Sequence, residues 1–135
     1  MIAIDTNLLV RLIVEDDPAQ AARARALLEA AVADGEPCFL SDPVLCELEW
    51  VLESCYDATR QDILLALQDL MACQPFLFED RDALRRALDA YQKGKADFSD
   101  YLIGAKAAIH GAWTTYTFDR ALRQTEGFTH LRPAP

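Results

Sequence analysis

An α/β fold with a central, mostly parallel sheet flanked by helices is predicted by three features of this sequence. Short apolar runs alternate with longer stretches of helical periodicity, the order expected when helices cross over between parallel strands. The first run, Ile2-Ala3-Ile4, ends abruptly in the carboxylate of Asp5. Helix starts are marked by a polar cap with proline in the first turn, as at Asp17-Pro18 and Ser41-Asp42-Pro43. With 135 residues, the chain is expected to form a single domain, residues 1–135, able to bury a core without staples.

Taken in order, Ile2 to Ile4 read as a strand buried on both faces, with Asp5 at its carboxyl end. In open α/β sheets ligands bind at that edge, because strands finish there and helices begin there with free N–H groups. Asn7 to Val14 form a short helix, and Ala19 to Ala33 a second one that stops at the glycine signal Asp34-Gly35. Pro37 to Leu40 fit a brief strand. Ser41-Asp42-Pro43 opens a helix through about Cys55, and Thr59 caps a helix from Arg60 to about Ala72, with Ile63, Leu64, Leu67, Leu70 and Met71 at helical spacing. After the break at Gln74-Pro75, Phe76-Leu77-Phe78 suit a strand. Asp80 caps Arg81 to Lys93, Gly94 ends that helix, and Ser99 can cap Asp100 to His110. Trp113 to Thr117 are β-rich and deliver Phe118-Asp119 into a short helix, and Phe128 to Leu131 suit an edge strand.

Composition excludes several classes. The net charge of −9 argues against a generic nucleic-acid coat, which needs a basic footprint to release counterions from phosphates. It leaves room for metal-mediated contact with phosphate. Cys38, Cys46, Cys55 and Cys73 contain no C-x-x-C pair and lie in or beside apolar runs, so they are expected to be reduced core residues. The start lacks a basic region followed by a long apolar stretch, and no run approaches the ~18 apolar residues of a membrane span. A cytoplasmic protein without membrane contact is the expectation.

The chemistry lies in the acids. Asp5 and Asp119 each follow a predicted strand, and each has a plain alternative as a capping residue. In the helix from Pro43, the stripe Val44, Leu48, Val51 and Cys55 leaves Glu47 on one flank and Glu49 on the other, and spacing puts Glu47 only somewhat ahead, with Glu49 a competitor. Asp97 and Asp100 share a face if their turn is helical, although a capping box accounts for the pair equally well. Strand ends and helix starts that all carry carboxylates at one sheet edge would repel one another. A hard divalent cation with oxygen ligands, Mg²⁺ or Mn²⁺, relieves that repulsion, and zinc does not suit the donors.

The run Asp5-Thr6-Asn7, then Cys46-Glu47-Leu48 with Val51-Leu52, then Asp97-Phe98-Ser99-Asp100-Tyr101-Leu102-Ile103, then Thr117-Phe118-Asp119 resembles the PIN domain, in particular the VapC-type toxins of toxin–antitoxin pairs. The resemblance covers almost the whole chain. It implies a PIN-like three-layer fold and a metal-dependent endoribonuclease, usually a homodimer, silenced by a cognate antitoxin. By position it makes Asp5, Glu47, Asp100 and Asp119 the acidic quartet, with Asp5, Asp100 and Asp119 on the metal and Asp97 an additional acid. Thr6, Asn7 and Thr117 stand beside these acids, where they orient ligands or water or simply form turns. Gly104 occupies a position where relatives often carry alanine, a small-for-small departure.

Basic residues that could help hold RNA are Arg11, Lys93, Lys95, Lys106 and Arg120, each with an alternative as solvated surface. His110 and His130 have no ligand spacing and receive no chemistry. The first helices, with Leu8, Leu9, Leu12 and Ile13, offer either an antitoxin groove or a dimer seam. Two other classes compete. A phosphatase-like α/β hydrolase wants a second acid two residues after the first, and here that position is Asn7. In a non-enzymatic binding module the acids would only cap helices.

Overall fold

Strand β1 (Ile2–Ala3) is followed at once by helix α1 (Thr6–Val14), because Asp5 supplies a cap: its backbone is extended and its Oδ1 accepts the Thr6 N–H at 2.7 Å. The computed structural model describes residues 1–134. They divide after Glu79 into two compact units, each built around its own parallel strands.

In the first unit, α2 (Pro18–Asp34) is capped by Asp17 and ends on Gly35 at φ 65°, a left-handed conformation that favours glycine. Strand β2 (Cys38–Leu40) leads into α3 (Asp42–Tyr56), α4 (Arg60–Ala72) and β3 (Phe76–Phe78). The strands pair in sequence order, β1 with β2 and β2 with β3, all parallel, with Ile2 opposite Cys38 and Leu40 opposite Phe78. Parallel pairing requires each strand to be followed by a crossover, so α1 and α3 both leave from the same carboxyl edge of the sheet. Leu9, Leu40, Leu45, Leu48, Ile63 and Leu67 are fully buried.

In the second unit, α5 (Arg81–Lys93) is capped by Asp80, and α6 spans Phe98–Ile109. The two helices pack together, with Tyr91 meeting Phe98 edge to face at 6.3 Å. Strand β4 (Thr115–Thr117) pairs in parallel with β5 (Phe128–His130), and a single 3-10 turn, Arg120–Leu122, follows β4.

The α/β class and every expected helix and strand are present, within a residue or two, but several details differ. Strand β1 is two residues long, with Ile2 half-buried and Ala3 exposed, so it is not buried on both faces. The buried stripe of α3 is Leu45, Leu48 and Leu52, and Cys55 is exposed. Cys73 is also exposed, so only Cys38 is a buried thiol; all four cysteines are free. Helix α6 is capped at Asp97 and begins at Phe98, two residues before the expected start and without Ser99 as its cap. The short helix after Asp119 is a single 3-10 turn. Leu9 belongs to the core, so the exposed edge of α1 rests on Ile13, with Leu8 and Leu12 half-buried.

Candidate functional site

The acids fall into two groups, one in each unit. In the first, Asp5 stands at the end of β1 and caps α1, and Thr6 is held inside the fold at 4% exposure. The Thr6 hydroxyl donates to Glu47 Oε1 at 2.5 Å. This bond joins residues 41 positions apart in sequence. It forms because α1 and α3 leave the same sheet edge, and it brings the Glu47 carboxylate to the residue next to Asp5.

Glu47 is exposed, whereas Glu49 is 4% exposed and lies on the buried stripe of α3. The two competitors therefore differ in kind. Glu47 presents a carboxylate to solvent beside Asp5, and Glu49 is a buried acid. Its presence, with that of Asp42 and the loss of solvent, pushes the Cys46 thiol up to about 11, the desolvation being the largest cause.

In the second unit, Asp97 caps α6 and Asp100 occupies its first turn, where Asp100 Oδ2 accepts the Asp97 N–H at 3.2 Å. The lead-in is firmly held, since the buried Ala96 N–H donates to Tyr101 Oη at 3.2 Å. That close approach explains Gly94, where a Cβ would collide with the Tyr101 hydroxyl. Asp97 is thus an anchored helix cap.

Asp119 caps the 3-10 turn, its Oδ1 accepting the Ala121 N–H at 2.9 Å, while its own N–H donates to Thr117 Oγ1 at 3.0 Å. His130 holds the same corner, with Nε2 3.2 Å from the Phe118 carbonyl oxygen. A neutral ring protonated on Nε2 makes that bond as donor. Thr117 and His130 lie opposite each other in the β4–β5 ladder.

Asp100 carries the electrostatic signature of the group. Its carboxyl is raised above the ordinary 3.8, first by desolvation and then by the charges of Asp97 and Asp119, against the lowering effect of the Asp97 N–H. Asp97, Asp100 and Asp119 therefore share one field. Carboxylate oxygens are hard donors, and residues of this kind would fit Mg²⁺ or Mn²⁺ better than a softer metal.

Basic residues are placed less favourably than the sequence suggested. Lys106 Nζ lies 3.4 Å from Asp80 Oδ2 within the second unit. Arg11 is drawn to Asp16 at 3.1 Å and also bonds Gln20 and Tyr56. Both serve packing. Lys93, Lys95 and Arg120 are exposed. Asn7 is exposed and, with Leu8, Arg11, Arg23 and Leu27, lines a groove of about 500 Å³ between α1 and α2.

Gly104 is more constrained than a small-for-small departure implies, because a Cβ there would collide with the Phe128 ring. The contacts Thr6–Glu47 and His130–Phe118 are what the sequence reading missed. Neither has a local signal, since each joins residues that only the strand pairing brings together.

A family model for the PIN domain matches residues 2–127, a span that runs through both units. The chain belongs to the PIN domain family. It is similar to a VapC ribonuclease of Aquifex aeolicus (strain VF5), 29% identical over 99 residues, an alignment covering 73% of this chain and 73% of the relative.

Proposed function

We propose that this protein is a metal-dependent endoribonuclease and the toxin of a type II toxin–antitoxin pair, acting in the cytoplasm. The observation that carries the reading is the family match over residues 2–127. Asp5, Glu47, Asp100 and Asp119 are the catalytic acids in this reading, and Asp97, Thr6, Asn7 and Thr117 support them. The resemblance to a VapC ribonuclease adds RNA as substrate and an antitoxin as partner.

Asp5, Asp100 and Asp119 are the residues that would hold Mg²⁺ or Mn²⁺. Such an ion supplies positive charge for the phosphodiester and makes a bound water more acidic. The protein's own residues do the rest. Thr6 fixes Glu47 through Oε1, leaving Oε2 as the oxygen to take a proton from the attacking water. As the water oxygen bonds to phosphorus, the ester oxygen on the far side departs and the RNA strand is cut. The Asp97 N–H holds Asp100, Thr117 Oγ1 holds the Asp119 N–H, and His130 holds the carbonyl of the preceding Phe118. No side chain needs to form a covalent intermediate.

The partners follow from the same chemistry. Clustered carboxylates receive an arginine well, since its fork can bridge them bidentately. We infer that an antitoxin uses this, with the α1–α2 groove as a second contact, and that two copies of the chain form the active toxin. Co-expression with the neighbouring small open reading frame should give a complex and relieve toxicity.

The test is incubation of the purified protein with mixed RNA and Mn²⁺, with and without EDTA. Cleavage abolished by EDTA is expected. Metal-independent cleavage defeats the metal-dependent mechanism, and no cleavage with either Mn²⁺ or Mg²⁺ defeats the proposal in favour of a binding module.

A further inference from the structure

We propose that the exposed aromatic strip Trp113, Tyr116 and Phe118 is a stacking platform for bases of single-stranded RNA next to Asp119, an inference that rests on the ribonuclease reading. These rings are unusually open: Trp113 is 81%, Phe118 67% and Tyr116 55% exposed. Large apolar side chains left in water on a short strand cost free energy unless something covers them. Tyr116 lies in β4 and Phe118 is the residue just after that strand, two positions on and at most roughly 7 Å away along the chain. Trp113 joins them by an edge-to-face contact with Tyr116, ring centroids 6.0 Å apart.

Three observations favour a nucleic-acid occupant. The strip is continuous with the acid, because Phe118 directly precedes Asp119. The charge is complementary, since between Ile109 and Thr125 this acidic chain carries Arg120 and Arg123 and a single acid, Asp119. The strip is also rigid. Leu131 N–H donates to the Thr117 carbonyl at 2.8 Å, the Thr114 and Thr129 hydroxyls bond at 2.7 Å, and His130 holds the Phe118 carbonyl. The backbone that carries the rings and the carboxylate is therefore held at both ends of β4. Bases stacked on the strip would set the register of the phosphodiester presented to Asp119. Stacking accepts every base and demands unpaired ones, which selects single strands over duplex.

Trp113 offers its own reporter, since Trp50 is the only other tryptophan. The full-length Trp50→Phe protein is titrated at low ionic strength in EDTA with a single-stranded oligoribonucleotide and with the matching duplex. Quenching of Trp113 emission by the single strand and little by the duplex is expected. Trp113→Leu should weaken single-strand binding about tenfold or more, and Trp113→Phe should restore most of it. With Mn²⁺ present, Trp113→Leu should raise KM for RNA and leave kcat nearly unchanged. Equal quenching by duplex, or no quenching by a protein that still cleaves RNA, overturns the platform and leaves the nuclease reading standing. Quenching without any cleavage does the reverse. Self-association that Trp113→Leu abolishes, with RNA binding unchanged, assigns the strip to a second copy of the chain and overturns the proposal.

Discussion

Thr6 shows how one side chain can position a carboxylate, here the proposed catalytic Glu47. It is buried, follows Asp5 directly and donates to Glu47 Oε1 at 2.5 Å. Thr6→Val keeps the shape and removes the donor. Glu47 is exposed, so water replaces the lost partner and stability should fall by about 1 kcal/mol or less. Cleavage should fall about ten- to a hundredfold, the usual effect of losing a group that orients a ligand, and Thr6→Ser should retain it. Urea denaturation beside initial cleavage rates checks both halves, and a fully active Thr6→Val would show that Glu47 needs no such support.

The cysteines give a second residue-scale test. Cys46 is pushed up to about 11 and Cys38 is raised by burial, so neither forms much of the reactive thiolate at neutral pH. Cys55 and Cys73 are exposed. Alkylation of the folded protein at pH 8 should therefore label Cys55 and Cys73 first, with Cys46 gaining reactivity only as pH climbs toward its raised value. Rapid labelling of Cys46 at pH 8 would contradict this.

At the scale of elements, much of the architecture was legible because caps are local. Asp17-Pro18, Ser41-Asp42-Pro43, Thr59 and Asp80 each mark a helix start that the structure contains. What misled was periodicity on α3. Val44, Leu48, Val51 and Cys55 make as good an apolar row as Leu45, Leu48 and Leu52, and only the packing of neighbouring helices selects the second. That choice carries Glu49 inward and leaves Glu47 outward. Similarly, the Ala96–Tyr101 bond that fixes the lead-in to Asp97 has no local signal, because it depends on the turn of α6.

Asp80 links two elements and yields a pH prediction. It caps α5 through the Ala83 N–H at 3.0 Å and pairs with Lys106 on α6. The backbone bond first, then Lys106, hold its carboxyl below the ordinary 3.8. A depressed acid stabilises the fold above its unfolded value and loses that contribution as pH falls through the folded one. Asp80→Asn keeps a capping oxygen and loses the charge. It should be less stable than the wild type at neutral pH, with the gap closing below about pH 3.8. Urea midpoints at the two pH values measure this, and a gap that widens in acid would contradict the assignment.

For the molecule as a whole, the central proposal is that Asp5, Glu47, Asp100 and Asp119 serve one reaction. The α/β class was legible in the sequence, and so was the placing of Asp5 and Asp119 just after strands, whereas Asp100 lies in the first turn of α6 and does not open it. The supporting contacts were not legible, since they depend on strand pairing over long separations. Single-turnover cleavage of RNA in Mn²⁺ by the wild type, Asp5→Asn, Asp100→Asn and the double variant tests the claim most directly. Each substitution removes a charge at nearly constant volume, and the amide oxygen introduced by Asp100→Asn can still accept the Asp97 N–H. Residues that act as a unit are not additive. Each single variant, folded as judged by circular dichroism, should lose nearly all cleavage, and the double variant should be little worse than either. Undiminished cleavage by folded Asp5→Asn, or losses that simply multiply in the double variant, would contradict the account.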